Sequence, residues 1–223
     1  MDFVFQYMLE VIPNLLVYIP TTLYITVISM VVAIIIGGLF AIILFNKVPV
    51  LSQLVQVLSS FFRGTPAIVQ LLLVYFGLPQ IIPALTSMTA TQASILALSL
   101  NTAAYLAEVF RAALASVDAG QVEAAMSVGL NYRQTLRGII LPQALRNALP
   151  GTGNTFVSLM KNSSLAFTIG VVEIVAQGKI LAAASLRFFE VYFAIALIYW
   201  GLTILYTWIQ EWYEDYINRP YIR

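Results

Sequence analysis

A handful of polar side chains stand in stretches that are otherwise apolar: Arg63, Gln70, Asn101, Glu108, Arg111, Lys161, Ser163 and Ser164. A charge at the centre of a membrane helix costs about 2.5–3.5 kcal/mol on insertion scales, so such a group faces a partner or an aqueous cavity. Glu108 and Arg111 lie three residues apart, the spacing at which opposite charges meet on one helix face. Arg63 has the alternative of laying its stem along apolar surface while its head reaches the interface. Lys161, followed closely by Ser163 and Ser164, is the least easily explained by packing. The chain has no cysteine and no histidine, which removes thiol catalysis, thiolate or imidazole metal sites and the histidine general base. An intramembrane enzyme would rest on Asp, Glu, Lys, Ser and Tyr alone, without a spaced Asp pair. What remains is charge compensation and hydrogen bonding toward something polar at membrane depth.

These side chains need elements to hold them. Of 223 residues, 61% are hydrophobic and 9% charged, whereas a soluble domain carries about 25% charged residues. So little charge cannot cover a soluble globule, and the expected solvent is lipid. A spanning helix takes roughly 20 apolar residues, which places five spans at about 20–45, 58–80, 91–112, 147–172 and 191–210. Gly64 to Ala107 carries no charge but is too long for one span at a rise of about 1.5 Å per residue. Gly77, Pro79 and Pro83 divide it. Ser52, Gln53, Gln56, Ser59 and Ser60 make the preceding segment an amphipathic approach, and Arg63-Gly64-Thr65-Pro66 marks a bend. Before the first span, Phe3, Phe5, Tyr7, Met8 and Val11 suggest either an interfacial segment ended by Pro13-Asn14 or a simple extension of that span. Glu173, Lys179, Arg187 and Glu190 read as a polar loop before the last span.

Lys and Arg set the orientation. One side receives Lys47, Arg111, Arg133, Arg137, Arg146, Arg219 and Arg223, with Arg63 near it, and the other receives Lys179 and Arg187. This predicts an outside N-terminus and a cytoplasmic C-terminus. The net charge of +1 indicates no bulk attraction to nucleic acid.

The loop between the third and fourth spans, at about 116–142, is the most informative segment. Asp118 followed by Gln121 predicts a variant of the capping box. A short helix over Gln121–Val128 follows, with Glu123 in its first turn and Gly129 as the residue after its C-cap. A second helical segment, Tyr132–Ile140, is expected to end before Pro142. The residues are more specific than that outline. Glu123-Ala124-Ala125, three residues, Gly129, nine residues, Ile139, one residue and Leu141-Pro142 form the EAA-x3-G-x9-I-x-L-P pattern. It resembles the cytoplasmic loop of permease subunits of ATP-binding-cassette importers. Phe62-Arg63-Gly64-Thr65-Pro66, Gln70-Leu71, Tyr75-Phe76-Gly77-Leu78-Pro79, Leu100-Asn101-Thr102-Ala103-Ala104-Tyr105, Ala107-Glu108-Val109-Phe110-Arg111 and Lys161-Asn162-Ser163-Ser164-Leu165 resemble the polar amino acid branch, with its histidine, glutamine, arginine and cystine permeases. Asn162 departs from the Asp or other small polar residue that relatives often carry there, which bears on substrate and not on class.

The resemblance implies an all-α membrane protein of five transmembrane helices with a cytoplasmic coupling helix, the type I importer fold, resident in a prokaryotic cell membrane. It implies a homodimer or a heterodimer with a similar permease, two cassette ATPase subunits, and an extracytoplasmic substrate-binding protein. The chain lacks a motor of its own: the nearest approach to a Walker loop, Gly178-Lys179-Ile180, has neither the first glycine nor the hydroxyl residue. No cofactor is therefore expected in this chain, with ATP and Mg on the partner ATPase. Glu123, Ala124, Ala125, Gly129, Ile139, Leu141 and Pro142 would then couple to that ATPase. Glu123 would either pair with a group there or cap local N–H groups. For an amino acid crossing the bilayer, Glu108 or Asn101 would face the ammonium, and Lys161 with Ser163 and Ser164 would face the carboxylate or line the gate, with Gln70 also on the pathway. Glutamine or cystine fits this set best, and arginine or histidine fits if Glu108 is not tied up by Arg111. The alternative, an ion-driven transporter or channel subunit, would need inverted repeats or paired broken helices, and no convincing internal repeat is present.

Overall fold

The computed structural model describes residues 3–219; Arg223, read above from sequence, lies outside them. The described residues form helices joined by short turns, with no strand among them. They are α1 (Phe5–Leu16), α2 (Ile19–Phe45), α3 (Leu51–Gly64), α4 (Ala67–Ile81), α5 (Ala90–Ala115), α6 (Ala119–Ser127), α7 (Tyr132–Ile169), α8 (Ile174–Ser185) and α9 (Phe188–Asn218). By length and composition α2, α5 and α9 are each able to cross a membrane. The bent pairs α3–α4, at 108°, and α7–α8, at 55°, bring the number to as many as five.

The 108° break falls inside the interval read as the second span. Thr65 is extended, with φ −117° and ψ 148°, because the ring of Pro66 disfavours helical backbone in the residue before it. Pro66 also has no N–H to continue the ladder. α4 resumes at Ala67 and contains a wide turn at Leu73–Gly77.

Two prolines behave differently from the sequence reading. Pro13 does not end α1, which runs on to Leu16 and buries Met8, Val11 and Leu15 against α8 and α9. Packing on one face holds that helix although the ring removes one backbone bond. Pro142 likewise stops nothing. A π-turn over Leu136–Ile140 shifts the hydrogen-bond register, the Leu141 N–H reaching the Leu136 carbonyl, and the helix passes through Pro142 into Leu141–Asn162. Such single π-turns absorb a missing donor inside a helix. A 3₁₀ stretch, Ser163–Ile169, then closes α7, and Gly170 turns the chain at φ 92°.

The region expected to be a polar loop is helix α8 and the start of α9, and two of its acids are buried. Glu173 is the N-cap of α8: its carboxylate accepts the N–H groups of Val175 and Ala176 at 3.0 and 2.8 Å and the Tyr199 hydroxyl at 3.3 Å. Glu190 accepts the Val4 N–H at 3.1 Å and pairs with Arg187 at 3.3 Å, anchoring the N-terminal segment to α9.

The main core lies between α2 and α5. α2 buries a stripe of small residues, Thr22, Thr26, Ser29, Ala33, Gly37 and Ala41, and α5 answers with Ala97, Ala103, Ala104 and Ala107. A Cβ on Gly37 would stand 2.9 Å from Leu106 Cβ and 3.0 Å from the Ala103 carbonyl, so glycine permits the approach. Lipid tails are as apolar as leucine side chains, and helices in lipid associate through close contact of this kind. α7 packs on the other side of α5, where Gly151 receives Val109, and on α9, where Gly153 lies directly under the Gln210 side chain.

Candidate functional site

Two amides satisfy the break between α3 and α4. The last carbonyls of a helix have no intrahelical donor, and the Phe62 carbonyl accepts Gln70 Nε2 at 2.8 Å and Asn101 Nδ2 at 3.0 Å. Gln70 Nε2 also reaches the Thr65 carbonyl at 3.1 Å and its hydroxyl at 2.8 Å. Asn101 Nδ2 donates to Gln70 Oε1 at 3.0 Å. Both amide side chains are buried, and they tie α5 to the bend. Asn101 Oδ1 is left as the acceptor on the side where Asn101 meets open space.

Glu108 is held by two arginines. Arg111 Nε donates to its Oε2 at 2.8 Å from the same helix, and Arg63 Nη2 of α3 lies 3.3 Å from its Oε1. Arg63 thus finds an ion partner, and its Nε donates to the Ser59 carbonyl at 3.4 Å. The three side chains keep 38%, 30% and 49% of their surface exposed, for Arg63, Glu108 and Arg111. At such exposure an ion pair contributes little stability, so the cluster sets local charge more than it holds the fold.

Beside the bend a cleft of about 520 Å³ opens between α5 and α7, within the roughly 300–1,000 Å³ range of small-molecule sites. Its polar lining is Thr65, Asn101, Thr102, Tyr105, Asn154, Thr155, Ser158 and Asn162, hydroxyls and amides without a carboxylate. Of the residues expected on a pathway, Asn101 lines this cleft. Gln70 stands behind the cleft in the bend, with Glu108 two turns along α5. Lys161 is exposed and precedes the lining residue Asn162 in sequence; its ammonium has no hydrogen-bond or ion-pair partner among the described residues, and it is not itself part of the lining. The hydroxyls of Ser163 and Ser164 donate at 2.7 Å to the carbonyls of Met160 and Lys161, securing the 3₁₀ stretch. The sequence reading missed Asn154 and Ser158, yet their signal was present. With Asn162 they recur every four residues, which puts one polar stripe on a helix meant for lipid.

On the side carrying α6, the loop folds from local rules. The Asp118 carboxylate accepts the Gly120 N–H at 2.7 Å, so the cap is an Asp N-cap and not the expected box with Gln121. Gln121 instead accepts from Gln143 of α7. Because α6 starts at Ala119, Glu123 falls in its second turn, exposed and without a side-chain hydrogen bond among the described residues. The end is a Schellman motif: the N–H groups of Gly129 and Leu130 bond the carbonyls of Met126 and Ala125 at 3.0 and 3.1 Å, with Gly129 at φ 85°. Ala124 and Ala125 do not form one small outer face. Ala125 is buried and Ala124 exposed, while Met126 and Val128 present 59% and 78% of their surface. A capping box at Asn131 and Gln134 starts α7, and the Tyr132 hydroxyl bonds Asn46 at 3.0 Å. Ile139 and Pro142 line a cleft of about 900 Å³ with Ala124, Ala125 and Val128, and Leu141 packs with Ala113, Leu114 and Ala144 beneath it.

Comparison with known proteins gives this arrangement a family. Residues 29–219 match the model of the binding-protein-dependent transport system inner membrane component. The chain is 52% identical over 216 residues to the probable amino-acid permease protein YxeN of Bacillus subtilis (strain 168), covering 97% of this chain and 96% of that one. It is 47% identical over 223 residues to the probable amino-acid ABC transporter permease protein PatM of Vibrio harveyi, over the full length of both. In three dimensions it matches a chain of the crystal structure of an amino acid ABC transporter with histidines, with TM-score 0.88, 32% identity, and coverage of 96% of this chain and 99% of that one. The chain therefore belongs to the binding-protein-dependent inner membrane components, as an amino-acid ABC transporter permease subunit with the all-α fold of importer permeases.

Proposed function

We propose that this chain forms one half of a two-fold transmembrane path along which an α-amino acid is carried to the cytoplasm, driven by ATP hydrolysed in a separate subunit docked at α6. The observation that carries the reading is the pairing of two features on opposite parts of α7. One is the uncharged polar cleft beside the α3–α4 bend; the other is the cap-defined helix α6 with exposed Met126 and Val128. A zwitterion in a bilayer strands two charges at several kcal/mol each unless polar groups meet them. Asn101 Oδ1, whose amide N–H groups are already spent on Phe62 and Gln70, suits the ammonium. Lys161, beside Asn162, suits the carboxylate. A second permease subunit, identical or similar, completes the enclosure, because these helices alone leave the cleft open on one face. A substrate-binding protein delivers the amino acid on the outside, and Gln121–Gly129 transmits the motion of two ATPase subunits from within.

The test is uptake of a radiolabelled amino acid in cells whose ATP is depleted while the ion gradient is held. Uptake stops if a cassette ATPase drives it. Uptake that persists with the gradient and ends on its collapse overturns the reading.

A further inference from the structure

Away from the polar cleft, a groove of about 210 Å³ runs where α2, α5 and α7 meet, lined by Ile, Leu, Phe, Ala and Gly alone. Ala41, Ala113, Ala144 and Ala148 form its buried floor, and Ile34, Ile42 and Leu145 are its exposed rims. Gly38 keeps the wall open: nothing lies within 4 Å of where its Cβ would be, whereas the same place on Gly37 is taken by α5. From Ile34 to Ile42 the groove follows α2 for about 12 Å. One leaflet of the hydrocarbon core is about 15 Å deep. A helix is about 10–12 Å across with its side chains and could only lie over so small a groove, whereas a single hydrocarbon chain lies within it.

One end of the groove leads to positive charge. Phe45 of α2 and Leu136 and Leu141 of α7 pack on one apolar cluster, and the Tyr132 hydroxyl donates to Asn46 Oδ1 at 3.0 Å, so the end of α2 and the start of α7 lie side by side. Lys47 follows that asparagine and Arg133 that tyrosine, and Arg137 stands about one turn before the lining residue Leu141. All three are exposed, and none has an ion-pair partner or side-chain hydrogen bond among the described residues. The acids of the neighbouring segment, Asp118 and Glu123, belong to α6 and its cap, which face Gly138, Pro142 and Gln143 on the other side of α7. The three cations stand beyond the groove and not in its wall. Lys47 comes five residues after Ile42, and the headgroup layer extends roughly 5–7 Å outside the hydrocarbon core.

We propose that this groove holds one acyl chain of an anionic phospholipid, whose phosphate headgroup meets Lys47, Arg133 and Arg137. Basic side chains at the membrane surface attract anionic headgroups, and the apolar groove fixes where such a lipid stays. The inference needs only the place of the chain in lipid and is independent of the transport reading.

The experiment is photo-crosslinking of the permease, purified with the subunits that accompany it, in phosphatidylcholine nanodiscs. These carry a small fraction of phosphatidylglycerol or phosphatidylcholine with the same diazirine-bearing chain, and labelled peptides are read by mass spectrometry. In the wild type, phosphatidylglycerol labels positions 34–42 and 141–148 at least about fivefold more than phosphatidylcholine does. Replacing the three cations together, Lys47→Gln, Arg133→Gln and Arg137→Gln, brings the two lipids to equal labelling. Gly38→Phe fills the groove and removes labelling there for both lipids, while the outer face of α2 is labelled as before. Elution of each variant with the same subunits reports folding. Equal labelling by the two lipids in the wild type, or a preference that survives the triple variant, overturns the proposal. Labelling at 34–42 and 141–148 that survives Gly38→Phe overturns the groove as the seat of the chain. Absence of lipid labelling in the wild-type groove overturns it as well, and a disulfide-linked dimer of Gly38→Cys then identifies a second permease subunit as the occupant.

Discussion

Gly129 stands at φ 85°, and nothing lies within 4 Å of where its Cβ would be. The barrier to substitution is therefore conformational and not steric. An L residue in left-handed backbone costs about 1–2 kcal/mol, and a β-branched residue is the least tolerant of positive φ. Gly129→Val should loosen the Schellman closure and so the direction in which Met126 and Val128 project. Retention of the ATPase during purification is expected to fall, with the permease still folded. Undiminished retention and uptake in this variant would remove α6 from the docking role. The same kind of local rule made Gly129 legible from sequence, since a C′ position is decided by its own neighbours. Glu123 was misplaced for an equally local reason. Moving the start of the helix to Ala119 carries Glu123 out of the first turn.

The α3–α4 bend shows why elements, and not single positions, decide the roles of Gln70 and Asn101. Either amide alone could be a ligand group. Together they meet the orphan carbonyl of Phe62, which exists only because Pro66 broke the ladder. Asn101→Leu removes one donor from Phe62 and from Gln70 Oε1 and leaves the latter buried. A buried polar atom without its partner costs about 1–3 kcal/mol. Thermal unfolding of the purified complex should show the loss as a lower midpoint. An unchanged midpoint would mean that the bend does not depend on Asn101. The position of the bend was readable from Arg63-Gly64-Thr65-Pro66, because proline chemistry is local. Its 108° angle was not, since the angle follows from how α4 packs on α5.

At the scale of the molecule, the orientation proposed for the chain in the membrane rests on the distribution of Lys and Arg. With no native cysteine, single introduced cysteines report accessibility without background. An impermeant thiol reagent applied from outside should label positions 80–84 and 178–183 and leave 118–132 unlabelled. Outside labelling of 118–132 would invert the topology and place α6 away from any cytoplasmic ATPase. The helix packing agrees with a chain built for lipid: the α2 window most able to span is only 28% buried by the protein itself, leaving its Ile and Val faces to tails or to a second subunit.

Composition and hydropathy by themselves determined that this chain is a transmembrane protein. The spaced EAA-x3-G-x9-I-x-L-P pattern in the 118–142 loop pointed to the family by resemblance. These features are local or additive, so a linear reading suffices for them. Tertiary structure alone decided which polar groups meet. Arg63 of α3 finds Glu108 of α5, Asn101 finds a carbonyl 39 residues away, and the stripe of Asn154, Ser158 and Asn162 faces Asn101 and Tyr105 across one cleft. The physical reason lies in the solvent. Helical periodicity names a face but not what covers it, and lipid covers an apolar face as well as another helix does. The choice of neighbour then rests on close approach at residues such as Gly37 and Gly151 and on a few hydrogen bonds. Those contacts join residues far apart in the chain, and no single stretch of sequence contains them.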